Sequence, residues 1–215
     1  MNARFMEVEL LVERGVLVPR EETELLGATA LELLPAEARL IDMCCGSGNL
    51  ACALASRSPS SRVWASDLTD ACVALARRNA NYIGVADRVT VVQGDLFAGL
   101  TGLGLEGAID LVVCNPPYIS QAKLAGERAA LLQDEPREAF DGGPYGLSIH
   151  QRVVREALPF LKPGGSLLFE IGLGQQRQVR MLFERTRAYE DLRTVANAAG
   201  EVRVVAARKI NQRGN

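Results

Sequence analysis

The chain has 215 residues, 48% of them hydrophobic and 23% charged, enough for one large α/β domain and short of two ordinary ones. That hydrophobic share, with 20 Gly and 9 Pro scattered along the sequence, excludes a disordered or collagen-like chain and implies a substantial core. Twenty-four Lys plus Arg against 26 Asp plus Glu leave a formal charge of −2, which offers no bulk attraction to a nucleic-acid polyanion.

Arg4, Glu7, Glu9, Glu13 and Arg14 interrupt the apolar residues of the first segment, so it does not read as a signal peptide. No apolar run approaches the roughly 18 to 20 residues of a membrane span. A cytoplasmic protein without membrane contact is expected. Phe5–Val18 reads as two short strands and residues 21–34 as a helix, whose first turn carries Glu21, Glu22 and Glu24 in accord with the helix dipole. Residues 1–20 are thus expected to form a β-hairpin extension and 21–215 the main domain.

From Arg39 the chain alternates β-rich and helical runs, the pattern of a doubly wound, mostly parallel sheet. Strands are expected at Leu40–Met43, Val63–Ser66, Val89–Gln93, Ile109–Cys114 and Ser166–Ile171. Helices are expected at 48–56, 70–82, 148–161 and 175–187. Lys162-Pro163-Gly164-Gly165 reads as the turn between the helix ending at 161 and the strand beginning at 166. The last two β-rich runs, Leu192–Ala196 and Val202–Ala207, are joined so closely that they must pair antiparallel. Between Ile119 and Gly146 lies a long connection with one helical stretch, Ala122–Leu132, of a length usual for a lid.

The five cysteines are odd in number and lack a C-x-x-C spacing, so reduced, mostly buried thiols are expected and no metal site. The single histidine, His150, reads as a helix-face residue. Chemistry is concentrated at strand ends. Asp42-Met43-Cys44-Cys45-Gly46-Ser47-Gly48 joins a strand to a helix, where Gly46 and Gly48 let backbone approach a ligand and the helix N-terminus offers free N–H groups. This loop alone fits NAD as well as S-adenosylmethionine. Asp67 ends the second strand, where a carboxylate can hold both hydroxyls of a ribose. Asp95 ends the third, near where an adenine would lie.

Asn115-Pro116-Pro117-Tyr118 ends the strand Ile109–Cys114. A planar –NH₂ group presents two donors that a dry site must match, and the Asn115 side-chain oxygen and Pro116 carbonyl can accept both. Both acceptors gain strength as positive charge develops on nitrogen. Tyr118 can pack on the flat acceptor. The prolines stiffen the loop and remove a donor from a place that needs acceptors.

These residues resemble the HemK-like protein-(glutamine-N5) methyltransferases of peptide-chain release factors, over about Phe5 to Ala207. The likeness rests on Gly15-Val16-Leu17-Val18-Pro19-Arg20-Glu21-Glu22-Thr23-Glu24, the glycine loop, Asn115-Pro116-Pro117-Tyr118-Ile119, Glu135-Pro136-Arg137, Asp141-Gly142-Gly143 with Gly146-Leu147, Leu161-Lys162-Pro163-Gly164-Gly165, and Glu170-Ile171-Gly172 with Gln175. It implies a class I methyltransferase fold, a seven-stranded Rossmann-like sheet with a C-terminal antiparallel hairpin. S-adenosylmethionine is the implied cofactor, with contacts from Arg20, Thr23, Asp42, Cys44, Gly46, Gly48, Asp67, Leu68, Asp95, Leu96 and Asn115. Asn115, Pro116 and Tyr118 are the implied catalytic residues.

Two departures stand out: Cys44 replaces the first glycine of the family's loop, and the chain begins where the helical docking domain of family members would end. The expected acceptor is a glutamine amide of a release factor or another protein. An exocyclic amine of adenine or cytosine in RNA or DNA, an NAD-dependent oxidoreductase, and a cofactor-binding subunit needing a partner chain are the alternatives.

Overall fold

The computed structural model describes residues 2–126, 128, 131–132 and 135–211. A β-hairpin pairs β1 (Asn2–Phe5) with β2 (Val8–Leu11), Phe5 opposite Val8. The strands therefore lie earlier than the sequence suggests, and residues 12–20 contain none. The turn between them has no glycine to announce it: Met6 and Glu7 both take left-handed backbone, φ 45° and 71°, as a two-residue hairpin loop demands. The Met6 N–H donates to the Glu24 carboxylate at 2.7 Å, and Phe5, Val8 and Leu10 are buried. The expected helix over 21–34 opens as one tight turn, Glu21–Thr23, and continues as α1 (Glu24–Leu33).

The main sheet contains β3 (Arg39–Met43), β4 (Arg62–Asp67), β5 (Val89–Gln93), β6 (Ile109–Cys114), β7 (Leu161–Glu170), β8 (Tyr189–Ala196) and β9 (Val202–Lys209), in the order β5-β4-β3-β6-β7-β9-β8. Pairing is parallel from β5 through β7, and β9 runs antiparallel to both its neighbours. Alternation along the strands divides the core. Leu40, Leu111, Val113 and Leu168 pack with α1, α2 (Asn49–Arg57) and α3 (Asp70–Ile83); Ile41, Val112, Leu167 and Phe169 face the opposite side. The connection after β6 holds only a short helix, α4 (Gln121–Ala125), in place of the stretch expected over 122–132. Residues 127, 129 and 130 of that stretch lie outside the described residues. Two more helices, α5 (Ser148–Glu156) and α6 (Gln176–Thr186), cover the Phe169 side.

Lys162-Pro163-Gly164-Gly165 is not the break between helix and strand that the sequence suggests. α5 stops at Glu156, and Leu161 is already in β7 opposite Ile109. Ile109 pairs with Leu161 and Leu111 with Ser166, so β7 advances five residues while β6 advances two. The tetrapeptide is absorbed as a bulge. Gly164 supplies φ +80°, and a Cβ on Gly165 would stand 2.8 Å from the Ile109 carbonyl oxygen. The tetrapeptide has the backbone of a turn but lies inside the strand, because burial of Phe160 and Leu161 pulls the strand start forward.

One buried amide joins hairpin to sheet. Asn79 on α3 accepts from the Leu11 N–H at 2.8 Å and donates to the carbonyls of Leu11 at 3.2 Å and Ser47 at 2.9 Å. Asn79→Ala would strand these buried groups and should lower unfolding stability by about 2–3 kcal/mol in urea titration. His150 lies on α5, fully buried against Phe169, with Nε2 facing the Glu170 carbonyl at 3.2 Å. Burial depresses its pKa to about 4. The unfolded chain would take up this proton near the ordinary value, so stability should fall as pH drops from about 6.5 to about 4. As the sole histidine, its NMR titration should show one midpoint near 4; a midpoint near 6.5 would contradict that burial.

Candidate active site

The sheet changes direction at β3: the chain builds outward through β4 and β5, then returns to add β6 on the other side. Loops diverging from such a point leave a crevice at the carboxyl ends of the strands. Met43 and Cys114 are register partners, so the loops after β3 and β6 emerge beside one another.

Two adjoining cavities open there. The first, about 340 Å³, is bounded by Cys44, Gly46, Asp67, Leu68, Thr69, Pro117 and Ile149, with Pro136 to Ala139 and Asp141 folded against it. The second, about 680 Å³, is bounded by Arg20, Pro116, Tyr118, Lys123, Tyr145, Glu170 and Arg203 among others. Leu17, Asn115 and Ala139 line both. Of these three, only Asn115 has a polar side chain.

The small cavity has a fixed carboxylate at its edge. Asp67 accepts from the Gly46 N–H at 2.9 Å through one oxygen and from the Thr69 N–H at 3.2 Å through the other. Thr69 also caps α3 by accepting from the Cys72 N–H at 3.3 Å. Each Asp67 oxygen keeps a lone pair for a ligand. Cys44 sits at φ +59°, the region a glycine occupies freely, at a cost of about 1–2 kcal/mol for a side chain. The Cys-for-Gly exchange therefore leaves the backbone path in glycine's own conformation.

Beneath the loop, Asp42 is buried and accepts from the Ala51 N–H at 2.9 Å. Burial pushes its carboxyl up to about 7, the Ala51 N–H opposes this and Asp67 adds to it. Asp42 Oδ1 and Ser47 Oγ are buried polar atoms without a hydrogen-bond partner among the described residues. Gly48 caps α2 and packs on Ala76, where a Cβ would come within 3.0 Å.

Not every candidate reaches the cavity wall. Asp95 is engaged by Arg152 at 2.8 and 3.1 Å, Leu96 is buried with φ +51°, and neither bounds either cavity. Arg20 bounds the larger cavity, and the Thr23 hydroxyl accepts from Asn115 Nδ2 at 3.1 Å. All five cysteines are free, Cys44 half-buried and the others buried. Among the described residues no group of three or more His, Cys, Asp or Glu is placed to hold a metal ion, and no helix is long and apolar enough to cross a membrane.

The loop carrying Asn115 is held by distant segments. Ile119 accepts from Gly142 and donates to the Phe140 carbonyl, both at 2.9 Å. Gln175 Nε2 donates to the carbonyls of Tyr118 at 2.9 Å and Gly146 at 3.2 Å. A Cβ on Gly146 would lie 2.3 Å from the Tyr118 carbonyl oxygen, so only glycine fits that approach. Burial pushes the Tyr118 hydroxyl up to about 12, with Glu170 adding to it, so it stays protonated and donates a hydrogen bond to Glu170 at 3.3 Å.

Residues 22–143 match the model of the methyltransferase small domain family. A release factor glutamine methyltransferase of Moorella thermoacetica is 40% identical over 208 residues, covering 96% of this chain and 72% of the relative. The chain belongs to the release factor glutamine methyltransferase family. Its counterpart in Geobacter sulfurreducens is 38% identical, with 95% of the chain and 69% of the relative covered. A methyltransferase structure from Pyrococcus furiosus matches the fold at TM-score 0.66 and 16% identity, over 94% of this chain and 88% of that one.

Two segments by which the sequence resembles this family touch in the structure. Glu135 accepts from Arg20 at 2.5 Å and from the Val18 N–H at 3.0 Å, tying the segment that closes the small cavity to the strand-free stretch after the hairpin. The ion pair is half-exposed on the Arg side, which limits it to about 1 kcal/mol. Glu135→Ala should therefore leave the melting temperature nearly unchanged while accelerating tryptic cleavage after Arg137; an unchanged digestion rate would deny the tie any role in holding the segment.

Proposed function

We propose that this chain transfers a methyl group from S-adenosylmethionine to the side-chain amide nitrogen of a glutamine in a peptide-chain release factor. The observation that carries this reading is the place of Asn115, the one polar side chain shared by two adjoining cavities, with its nitrogen tied to Thr23 and its oxygen left to accept. Family membership supports the acceptor class, since the curated relatives are named for release factor glutamine methylation.

The small cavity suits the cofactor. Its volume of about 340 Å³ lies in the range of small-molecule sites, its wall is largely apolar, and it offers a fixed carboxylate with spare lone pairs. Asp67 would hold the ribose hydroxyls. Backbone from Cys44 to Gly46 would face the methionine part, where the unsatisfied Ser47 hydroxyl lies close in sequence. Leu68 and Ile149 would pack on the apolar surface of the base.

Bound there, S-adenosylmethionine supplies a methyl group on a sulfonium centre, which is itself a good leaving group. The chain's own residues have to present the nucleophile. An amide nitrogen is weakly nucleophilic because its lone pair is delocalised into the carbonyl. Asn115 Oδ1 and the Pro116 carbonyl would accept its two N–H groups, fixing the plane of the amide and stabilising positive charge as it develops. Tyr118 would pack on that plane. Neither acceptor is basic enough to keep a proton, so the one surrendered after transfer passes to water.

Labelled-methyl transfer, read by mass spectrometry with release factor, total RNA and cell extract in parallel, tests the reading. The label should enter a glutamine of the release factor; incorporation into RNA alone would overturn it. Asn115→Ala should lower turnover by about 100- to 1,000-fold while calorimetry shows little change in cofactor affinity. Asp67→Ala should show the reverse emphasis, weakening cofactor binding by about 10- to 100-fold through loss of charge-assisted hydrogen bonds.

A further inference from the structure

The far end of the Tyr118 side chain meets two buried charges that methyl transfer does not use directly. Glu170, at the end of β7, is 1% exposed, and Arg203, in β9, is 9% exposed. Both stand with Tyr118 in the wall of the larger cavity. β7 and β9 pair antiparallel with Glu170 opposite Val204, and the Ile171 N–H donates to the Arg203 carbonyl at 2.9 Å. The backbone thus sets the two residues beside one another.

The three side chains close a triangle. The Tyr118 hydroxyl donates to Glu170 Oε1 at 3.3 Å and accepts from Arg203 Nη2 at 3.3 Å, while the same nitrogen donates to Glu170 Oε1 at 3.4 Å. The hydrogens match the bonds, since a phenol has one to give and Nη2 of a guanidinium has two. Among the described residues these are the only hydrogen bonds of the Glu170 and Arg203 side chains. Glu170 Oε2 and Arg203 Nε are buried without a partner, and Glu22 stands 4.0 Å from Arg203. Two charges are therefore kept from water for contacts with one phenol and with each other.

The near end of Tyr118 is fixed as well. Its carbonyl accepts from Gln175 Nε2 at 2.9 Å, and its ring lies against Gly172, where a Cβ would stand 3.0 Å from Cδ2. We infer that Arg203 and Glu170 are positioning residues of this enzyme: by holding the Tyr118 hydroxyl they fix the direction of the ring that would pack on the acceptor amide. Contact with Gly172 then limits rotation about that direction. A buried ion pair often adds no stability over an apolar replacement, so what this one supplies is a single geometry. The inference rests on the proposed function, because the acceptor amide is what Tyr118 would meet. It gives the antiparallel end of the sheet a part in the site.

The test uses the full chain carrying Tyr118→Phe, Arg203→Met or both. Methyl transfer is measured at saturating cofactor over a range of release factor concentrations, and cofactor affinity by calorimetry. Tyr118→Phe keeps the ring, removes its tether and should lower kcat by about 10- to 100-fold, the scale expected for a slightly misplaced reacting group. Arg203→Met should lower kcat to a similar extent. Neither should change cofactor affinity, since Tyr118, Glu170 and Arg203 do not bound the smaller cavity. The double variant should be no slower than the slower single one, because both changes remove the same tether.

Parental kcat in Tyr118→Phe would overturn the inference, and so would losses that multiply in the double variant. An Arg203→Met defect confined to KM for release factor would overturn it too, as the mark of an arginine that binds the acceptor itself. Should Arg203→Met fail to fold, Glu170→Gln takes its place beside Tyr118→Phe and the same outcomes decide. Full activity in Asn115→Ala would instead sink the reading of the site, so the two failures are told apart.

Discussion

Met43 and Cys114 are neighbours in a parallel register, so the two loops that leave the sheet there emerge side by side and bound one cavity. Because β6 returns to the far side of β3 after β4 and β5 have been laid down, the crevice at this point is open on its carboxyl side. The glycine-bearing loop takes one wall and the Asn-Pro-Pro-Tyr loop the other. Had β6 paired with β5, two strands would separate the loops after β3 and β6, too far apart for one side chain to face both cavities. Strand order is thus the constraint on which the site's chemistry depends.

A loop rich in proline forfeits donors and must borrow stability from elsewhere. Here the lenders are three remote segments. The Phe140–Gly143 strip pairs with Ile119, Gln175 gathers the Tyr118 and Gly146 carbonyls, and Glu170 collects Tyr118 and Arg203. These contacts explain why the family's likeness is scattered through the sequence and not confined to one stretch. The Asp-Gly-Gly segment and the Gln after β7 hold the Asn115 loop in place as well as bordering the two cavities.

Much of this was legible from residue order. Val89–Gln93 and Ile109–Cys114 are strands with the ends expected, since apolar, β-branched runs bounded by turn residues leave little freedom. The antiparallel end of the sheet followed from the shortness of the 197–200 connection. Hidden features share one cause, a partner far away in the chain. The Met6-Glu7 turn is left-handed without glycine because Glu24 and the buried neighbours impose it. The helix before Lys162 ends early because Leu161 is claimed by Ile109. Within the site, the place of Asn115, Tyr118, Gly46 and Asp67 at strand ends that border the cavities was legible. Their supports were not: Thr23 meets Asn115 across 92 positions and Glu135 meets Arg20 across 115, and no spacing rule spans such distances.

Cys44 occupies glycine's backbone region and lines the small cavity with a half-buried thiol, whereas the other four cysteines are buried. In the family pattern that position has no side chain at all. A ligand seated there would lie against a sulfur where a loop that kept the glycine pattern would present bare backbone, so this wall of the cavity is one side chain thicker.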